Sequence, residues 1–210
     1  MRRLPLLAVL LFVGLLVVGD FALKSVVENR IEAATLTAFN LDRRPDVSIG
    51  GFPFVYRVVR GEIPSVTIRS DSLTREEVTL RDVKVMFLNV RFSVGHLVSG
   101  NDRSVQLGRG RGRAVITSGD ATDAAQAHGA PVFLRFAPGT VTVRSEGLGV
   151  QASARLQVDG RNLVIDPEGD IPSASMPLPE IAPGVQYRSV RVDTGEAVLQ
   201  VRMDPVTLRF

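Results

Sequence analysis

After Pro45 the sequence alternates apolar and polar residues with a period of two, and this pattern restricts the fold more than any other feature. Residues 150–158 place apolar side chains at even positions, and residues 197–203 place them at odd positions. Because successive side chains of a strand point to opposite faces, such alternation is typical of antiparallel strands with one dry face and one wet face. We therefore expect residues 46–210 to form one β-rich body without an internal boundary.

Two segments follow a helical period instead. In residues 20–40 one stripe carries the apolar side chains and the charged ones are placed toward solvent; the stripe contains Phe21, Val27, Ile31, Ala34 and Ala38, and the charged set contains Lys24, Glu28, Arg30 and Glu32. Asn40 and the turn before Pro45 end this helix, and residues 118–128 predict a second, short helix. The fold class is therefore α+β, with an N-terminal segment that continues into an amphipathic helix packed on a mostly antiparallel sheet.

The N-terminus has the pattern of an export segment. Met1-Arg2-Arg3 precedes an apolar run from Leu4 to Val18. Fifteen helical residues cover about 22 Å, short of a hydrocarbon core of about 30 Å, and continuing the run to Leu23 nearly supplies the difference. We expect residues 1–22 to be a signal peptide or an uncleaved signal anchor, with retention favoured because no Ala-x-Ala site follows. Residues 23–210 then form a single domain on the periplasmic side of the cytoplasmic membrane, anchored or secreted.

Charge and cysteine content exclude several classes of protein. The chain has 25 Lys plus Arg against 22 Asp plus Glu, a net charge of +3, and Arg2 and Arg3 of the export segment supply two of the three. The nearly neutral remainder argues against electrostatic nucleic-acid binding. The absence of cysteine excludes disulfides, thiolate metal sites and a cysteine nucleophile.

Catalytic groupings are weak throughout. His96 and His128 are the only imidazole bases, and neither accompanies a nucleophile motif. Glu76 and Glu77 are adjacent and point to opposite faces of a strand, while residues 166–170 lack the bidentate Glu of a calcium loop. We therefore predict no enzyme activity, no metal site and no cofactor.

The segment 83–94 departs from simple alternation because its odd-numbered and its even-numbered positions both carry apolar residues. The odd positions hold Val83, Val85 and Phe87; the even positions hold Met86, Leu88, Val90 and Phe92. A strand that is apolar on both sides predicts burial on both sides. Two interpretations stay open, a central strand covered on one side by the N-terminal helix and a strand that contacts lipid.

An Arg-Gly repeat occupies residues 108–113. In an extended strand it places Arg109, Arg111 and Arg113 on one face with bare backbone between them, which suits a phosphate head group. The alternative interpretation is a flexible hairpin arm.

The segment 45–54, which ends in Gly51-Phe52-Pro53-Phe54, resembles the LmeA-like phospholipid-binding family of actinobacterial cell-envelope proteins. The later segment 178–185, with Val190-Arg191-Val192 and Gly195, is also similar to that family. The resemblance implies phospholipid binding at the outer face of the cytoplasmic membrane, with a role in envelope lipoglycan maturation in the best-known members. It also implies a strongly curved sheet around an apolar groove, a half-barrel like that of tubular lipid-binding domains.

Together these features predict a membrane-associated envelope protein that holds or transfers phospholipid in an apolar groove. The groove candidates are Phe52, Phe54, Val85, Met86, Phe87, Leu88, Val90 and Phe92, and the head-group candidates are Arg109, Arg111 and Arg113. Phe52 and Phe54 are explained equally well as a structural corner between sheet and helix. The alternative function is a non-enzymatic structural or partner-binding module with a filled core.

Overall fold

The computed structural model describes residues 3–39, 41, 43–92, 104–145, 149–169, 173–181 and 184–209. Its helices are α1 (Arg3–Phe39), α2 (Phe54–Val59) and α3 (Ser118–Ala127). Its strands are β1 (Asp46–Gly50), β2 (Glu62–Arg75), β3 (Val78–Phe92), β4 (Ser104–Leu107), β5 (Gly110–Thr117), β6 (Val132–Ala137), β7 (Thr140–Ser145), β8 (Val150–Asp159), β9 (Asn162–Pro167), β10 (Ala174–Pro177), β11 (Val185–Asp193), β12 (Glu196–Met203) and β13 (Val206–Arg209).

The strands form two sheets in which the neighbours pair antiparallel. The larger sheet has the order β1-β2-β3-β5-β12-β11, and β4 joins β13 to the end of β3. The smaller sheet, β10-β9-β8-β7-β6, curls into a five-stranded half-barrel. The predicted α+β class and antiparallel pairing are confirmed.

The Arg-Gly repeat has a packing role in the larger sheet. Gly112 of β5 lies opposite Val201 of β12, and Gly110 lies opposite Met203. A Cβ atom at Gly112 would lie 2.8 Å from Val201 Cγ2 and 2.6 Å from the Lys84 carbonyl oxygen. The glycines therefore leave room for core side chains of β12, while the alternating arginines point to the opposite face.

The buried face of β3 changes from even to odd positions at Asp82, between Leu80 and Val83, and back to even positions at Asn89. Val85 and Phe87 are buried, Leu88 is 37% exposed, Asn89 adopts a positive φ of 53°, and Val90 is buried again. The pairing with β2 keeps the same register on both sides of Asn89, so the side chains change faces without an inserted residue. The expectation of burial on both faces is therefore wrong at Leu88. Helix α3 packs on β3, whereas α1 packs on β1 and α2.

Helix α1 supplies hydrogen-bond acceptors to the backbone amides of β1, the edge strand of the larger sheet. The Glu28 carboxylate accepts hydrogen bonds from the Ile49 amide at 2.7 Å, and that of Glu32 accepts from the Val47 amide at 3.4 Å. These two residues were expected to face solvent; instead they supply acceptors to an edge strand. Among the described residues, no helix combines the length and the mean hydropathy of a membrane span.

Candidate functional site

The segment Gly51–Phe54 turns the chain from β1 into α2. Gly51 has a φ of +106°, which favours glycine, and the Phe52–Pro53 peptide bond is cis. The side chain of Phe54 is buried at 1% exposure, whereas that of Phe52 is 58% exposed and stacks on Phe21 of α1 with ring centroids 6.3 Å apart. The predicted corner role fits Phe54, and Phe52 instead forms part of an exposed apolar surface.

Asp20 of α1 holds the first turn of α2. Its two carboxylate oxygens accept hydrogen bonds from the Phe54 and Val55 amides at 2.8 and 2.7 Å, and the residue is only 6% exposed. These donors would otherwise lack partners, because the first amides of a helix have no carbonyl to bond. The cap side chain thus comes from another helix 34 residues away, and it fixes α2 beside α1.

Exposed apolar side chains concentrate on these two helices. Eight of the ten large apolar residues that are exposed in the described part of the chain lie here: Val18, Phe21, Leu23 and Val26 on α1, and Phe52, Val55, Tyr56 and Val59 on or next to α2. We call this set the α1–α2 surface. Arg60 lies 5.1 Å from the ring centroid of Tyr56 in a cation–π contact. The Phe21–Phe52 stacking links the exposed side chains of the two helices, and exposed apolar surface is typical of contact with a membrane, a ligand or another protein.

A cavity of about 280 Å³ adjoins α2 where β2 begins and β3 ends. Its lining consists of Arg57, Glu62, Ile63, Pro64, Asn89 and Arg91. The Arg57 Nε atom is buried and makes no hydrogen bond, while Arg91 Nε lies 3.3 Å from a Glu62 carboxylate oxygen. We call this cavity the Arg57 pocket.

The predicted groove residues of β3 divide between the core and the surface. Val85, Phe87 and Val90 are buried in the hydrophobic core, Met86 and Phe92 are half-buried, and Leu88 is exposed. The end of this strand lies beside α2, and Asn89 and Arg91 of β3 line the Arg57 pocket together with Arg57 of α2.

Arg111 and Arg113 are exposed on the outer face of β5, and Arg109 is exposed directly before this strand. Arg113 forms an ion pair with Asp82, and the Arg111 guanidinium lies 3.8 Å from Met86 Sδ. Arg111 is also opposite Arg202 of β12. The backbone carbonyl of Arg109 accepts a hydrogen bond from the amide of Leu88, the residue before Asn89 of the Arg57 pocket.

The residues weighed for catalysis do not converge where the structure describes them. His128 is exposed directly after α3, and His96 lies outside the described residues. Glu76 and Glu77 are exposed in the turn between β2 and β3. Across the described ranges, no group of three or more His, Asp or Glu is placed to hold a metal ion.

Sequence reasoning missed α2, Asp20 as its cap, and the Arg57 pocket. A six-residue helix is too short to show a period, but the Asp at the end of a long apolar run was a usable signal. A charge in that position needs a partner, and the amides that follow Gly-Phe-Pro provide one.

A family model matches residues 18–210, which is all of the chain except its first 17 residues. Comparison with curated proteins gave no match, and neither did comparison with solved structures. The family match begins just before Asp20, so it includes the α1–α2 surface and the pocket as well as both sheets. The chain therefore belongs to the LmeA-like phospholipid-binding family, and this membership implies that it binds phospholipid.

Proposed function

We propose that the protein works at the outer face of the cytoplasmic membrane, where the α1–α2 surface docks on the bilayer and the domain holds or transfers a phospholipid. The observation that carries this proposal is the concentration of exposed apolar side chains on α1 and α2. This surface is continuous in sequence with the apolar run Leu4–Val18 at the start of α1. A lipid surface is the occupant that fits both features.

The charges around the surface suit an anionic membrane. Lys24 lies on α1 and Arg57 on α2, while the Asp20 carboxylate is turned to the amides of α2 and away from solvent. The side chain of Val59 is 71% exposed, and its transfer from water into an apolar environment would by itself contribute about 1 kcal/mol or more to the free energy of membrane binding. Several such side chains acting together give a stable interfacial contact, to which each nearby cation adds about 1 kcal/mol on anionic lipid.

The acyl chains of the bound lipid would lie against the exposed members of the groove set, Phe52 and Leu88, and the half-buried ones, Met86 and Phe92. Phe54, Val85, Phe87 and Val90 support this surface from the core. Arg109, Arg111 and Arg113 remain proposed contacts for the negative charge of lipid head groups. A role in envelope lipoglycan maturation is proposed from the family resemblance. Complementation of a strain that lacks the protein tests this role.

We propose that the N-terminal segment is retained at least from Asp20. Cleavage after residue 22 would remove the carboxylate that caps α2 and the Phe21 ring that stacks on Phe52. A signal anchor over residues 1–22 supplies both. Determination of the N-terminus of the mature protein tests this: a mature chain that starts at residue 23 would contradict it.

Single-tryptophan fluorescence tests the docking surface, because the chain contains no tryptophan. The full chain carrying Val59→Trp is reconstituted with phosphatidylglycerol vesicles whose acyl chains are brominated. The matched control is Phe133→Trp, since Phe133 is an exposed aromatic residue on β6 in the other sheet. We expect a blue-shifted, strongly quenched emission from position 59 and little quenching at position 133. Equal quenching at both positions, or none at position 59, would contradict the proposal.

A structural or partner-binding module is the second candidate. It is favoured by the dense core, in which Leu80, Ile116 and Leu199 are fully buried. Purification of the protein from vesicle mixtures distinguishes the two functions, because a structural module would retain no phospholipid.

A further inference from the structure

The Arg57 pocket lies next to the proposed membrane-facing surface. Arg57 is part of α2, whose neighbouring residues Tyr56 and Val59 are exposed members of the α1–α2 surface. The opposite wall consists of Glu62 and Pro64 at the start of β2 and of Asn89 and Arg91 at the end of β3. A lipid whose chains contact the α1–α2 surface would therefore have its polar end within reach of this cavity.

One atom of the half-buried Arg57 side chain lacks a hydrogen-bond partner. The Nε atom is buried without a hydrogen bond, although buried polar atoms in proteins nearly always have one. Among the described residues no carboxylate lies within ion-pair distance of Arg57. An anionic oxygen in the cavity would satisfy this donor with a charge-assisted hydrogen bond, the interaction that a guanidinium makes best.

The charge and volume of the pocket limit the ligand. Two guanidinium groups, from Arg57 and Arg91, oppose one carboxylate, from Glu62, so the lining has a net charge of +1. A phosphodiester carries one negative charge and balances this lining. The volume of about 280 Å³ corresponds to roughly nine water molecules at about 30 Å³ each, which is enough for a phosphate with a small polar substituent.

Asn89 adds a second feature of a built site. It adopts a positive φ of 53° inside a strand, a conformation that few residues other than glycine adopt readily, and asparagine is one of them. The same residue marks a change of face in β3 that brings its side chain into the pocket lining. Its amide can donate a hydrogen bond to a phosphate oxygen.

We infer that the Arg57 pocket binds the phosphodiester of a phospholipid head group, with Arg57 as the main contact. The inference rests on the proposed function and deepens it by naming the site for the head group. It assigns this role to residues distinct from Arg109, which precedes β5, and from Arg111 and Arg113, which lie on the outer face of β5.

The test is a calorimetric titration of the full chain in nonionic detergent with dihexanoyl-phosphatidylglycerol. Dihexanoylglycerol, which lacks the phosphate, and inorganic phosphate are titrated separately to distinguish a lipid head group from free phosphate. The variants are Arg57→Gln and the matched control Arg60→Gln, which removes the same charge from the residue directly after α2, outside the pocket. We expect Arg57→Gln to weaken phosphatidylglycerol binding about tenfold or more, and Arg60→Gln to leave it within about twofold.

Three outcomes would overturn the inference: unchanged affinity in Arg57→Gln, an equal loss in Arg60→Gln, or tighter binding of inorganic phosphate than of the lipid. If Arg57→Gln fails to fold, Arg57→Lys keeps a charge but has no Nε, and wild-type affinity in that variant would also overturn it. Lipid retention by both wild type and Arg57→Gln would leave the proposed function standing and refute only the pocket. Failure of the wild-type chain to bind any phospholipid would refute both.

Discussion

The contact between Asp20 and α2 leads to a sharp prediction for the variant Asp20→Ala. The change removes two hydrogen bonds of 2.8 and 2.7 Å from a carboxylate that is 6% exposed. Loss of a helix N-cap costs about 1–2 kcal/mol, and a hydrogen bond to a charged group contributes about 1.5–3 kcal/mol. Because the Val55 amide is only part-buried and gains water in the variant, we expect a loss of about 2 kcal/mol in the free energy of unfolding.

For a domain of this size, about 2 kcal/mol corresponds to a fall of roughly 4–8 °C in Tm. Native-state hydrogen exchange adds a local readout, since the amides of Phe54 and Val55 lose their acceptor and should exchange faster. Glu32→Ala is the graded control, because its single contact with the Val47 amide is 3.4 Å long. Unchanged Tm and unchanged exchange at Phe54 and Val55 in Asp20→Ala would refute the idea that α1 positions α2.

Three further predictions concern the sheets and α3. Gly112→Ala should lower the free energy of unfolding by about 1–3 kcal/mol, and with it the urea midpoint, because its Cβ would meet backbone 2.6 Å away; an unchanged midpoint would contradict the packing role. The hydrogen bond from Arg81 lowers the pKa of Asp120. The ionised Asp120 carboxylate therefore stabilises the fold at a pH above the ordinary aspartate pKa of about 4, and this stabilisation is lost as the pH falls below it. The Tm gap between wild type and Asp120→Asn should therefore close in acid, and a constant gap would contradict this. Tyr187→Phe removes a buried 2.7 Å hydrogen bond to the Pro179 carbonyl and should cost about 1 kcal/mol in the same urea assay, whereas full stability would show that the bond is dispensable.

The sheet architecture could be predicted because one physical rule governs most of the chain. Wherever one strand face is buried and the other is wet, the sequence must alternate, and the segments 150–158 and 197–203 do so in β8 and β12. The short helix over residues 118–127 was also predictable from its composition, although the cap proved to be Thr117, whose side chain accepts from the Asp120 amide.

The candidate site was less accessible because its parts depend on tertiary contacts. Asp20 at the end of an apolar run indicates a charge that needs a partner, but nothing local indicates that the partner is a helix more than thirty residues later, or that Asn89 will turn β3 over. Phe52 and Phe54 are two residues apart and similar in chemistry, yet one is exposed and the other is buried because α2 begins at Phe54, with Pro53 as its N-cap. Arg57 and Arg91 come together only through the packing of α2 on the start of β2.

We expect this chain to bind phospholipid at the end of the domain that carries the α1–α2 surface. Native mass spectrometry of the full chain, released from detergent after incubation with phosphatidylglycerol vesicles, tests this most directly. We expect a mass increase of one phospholipid per chain in the wild type, which decreases strongly in Arg57→Gln and persists in Arg60→Gln. A wild-type chain that carries no phospholipid under these conditions would contradict it.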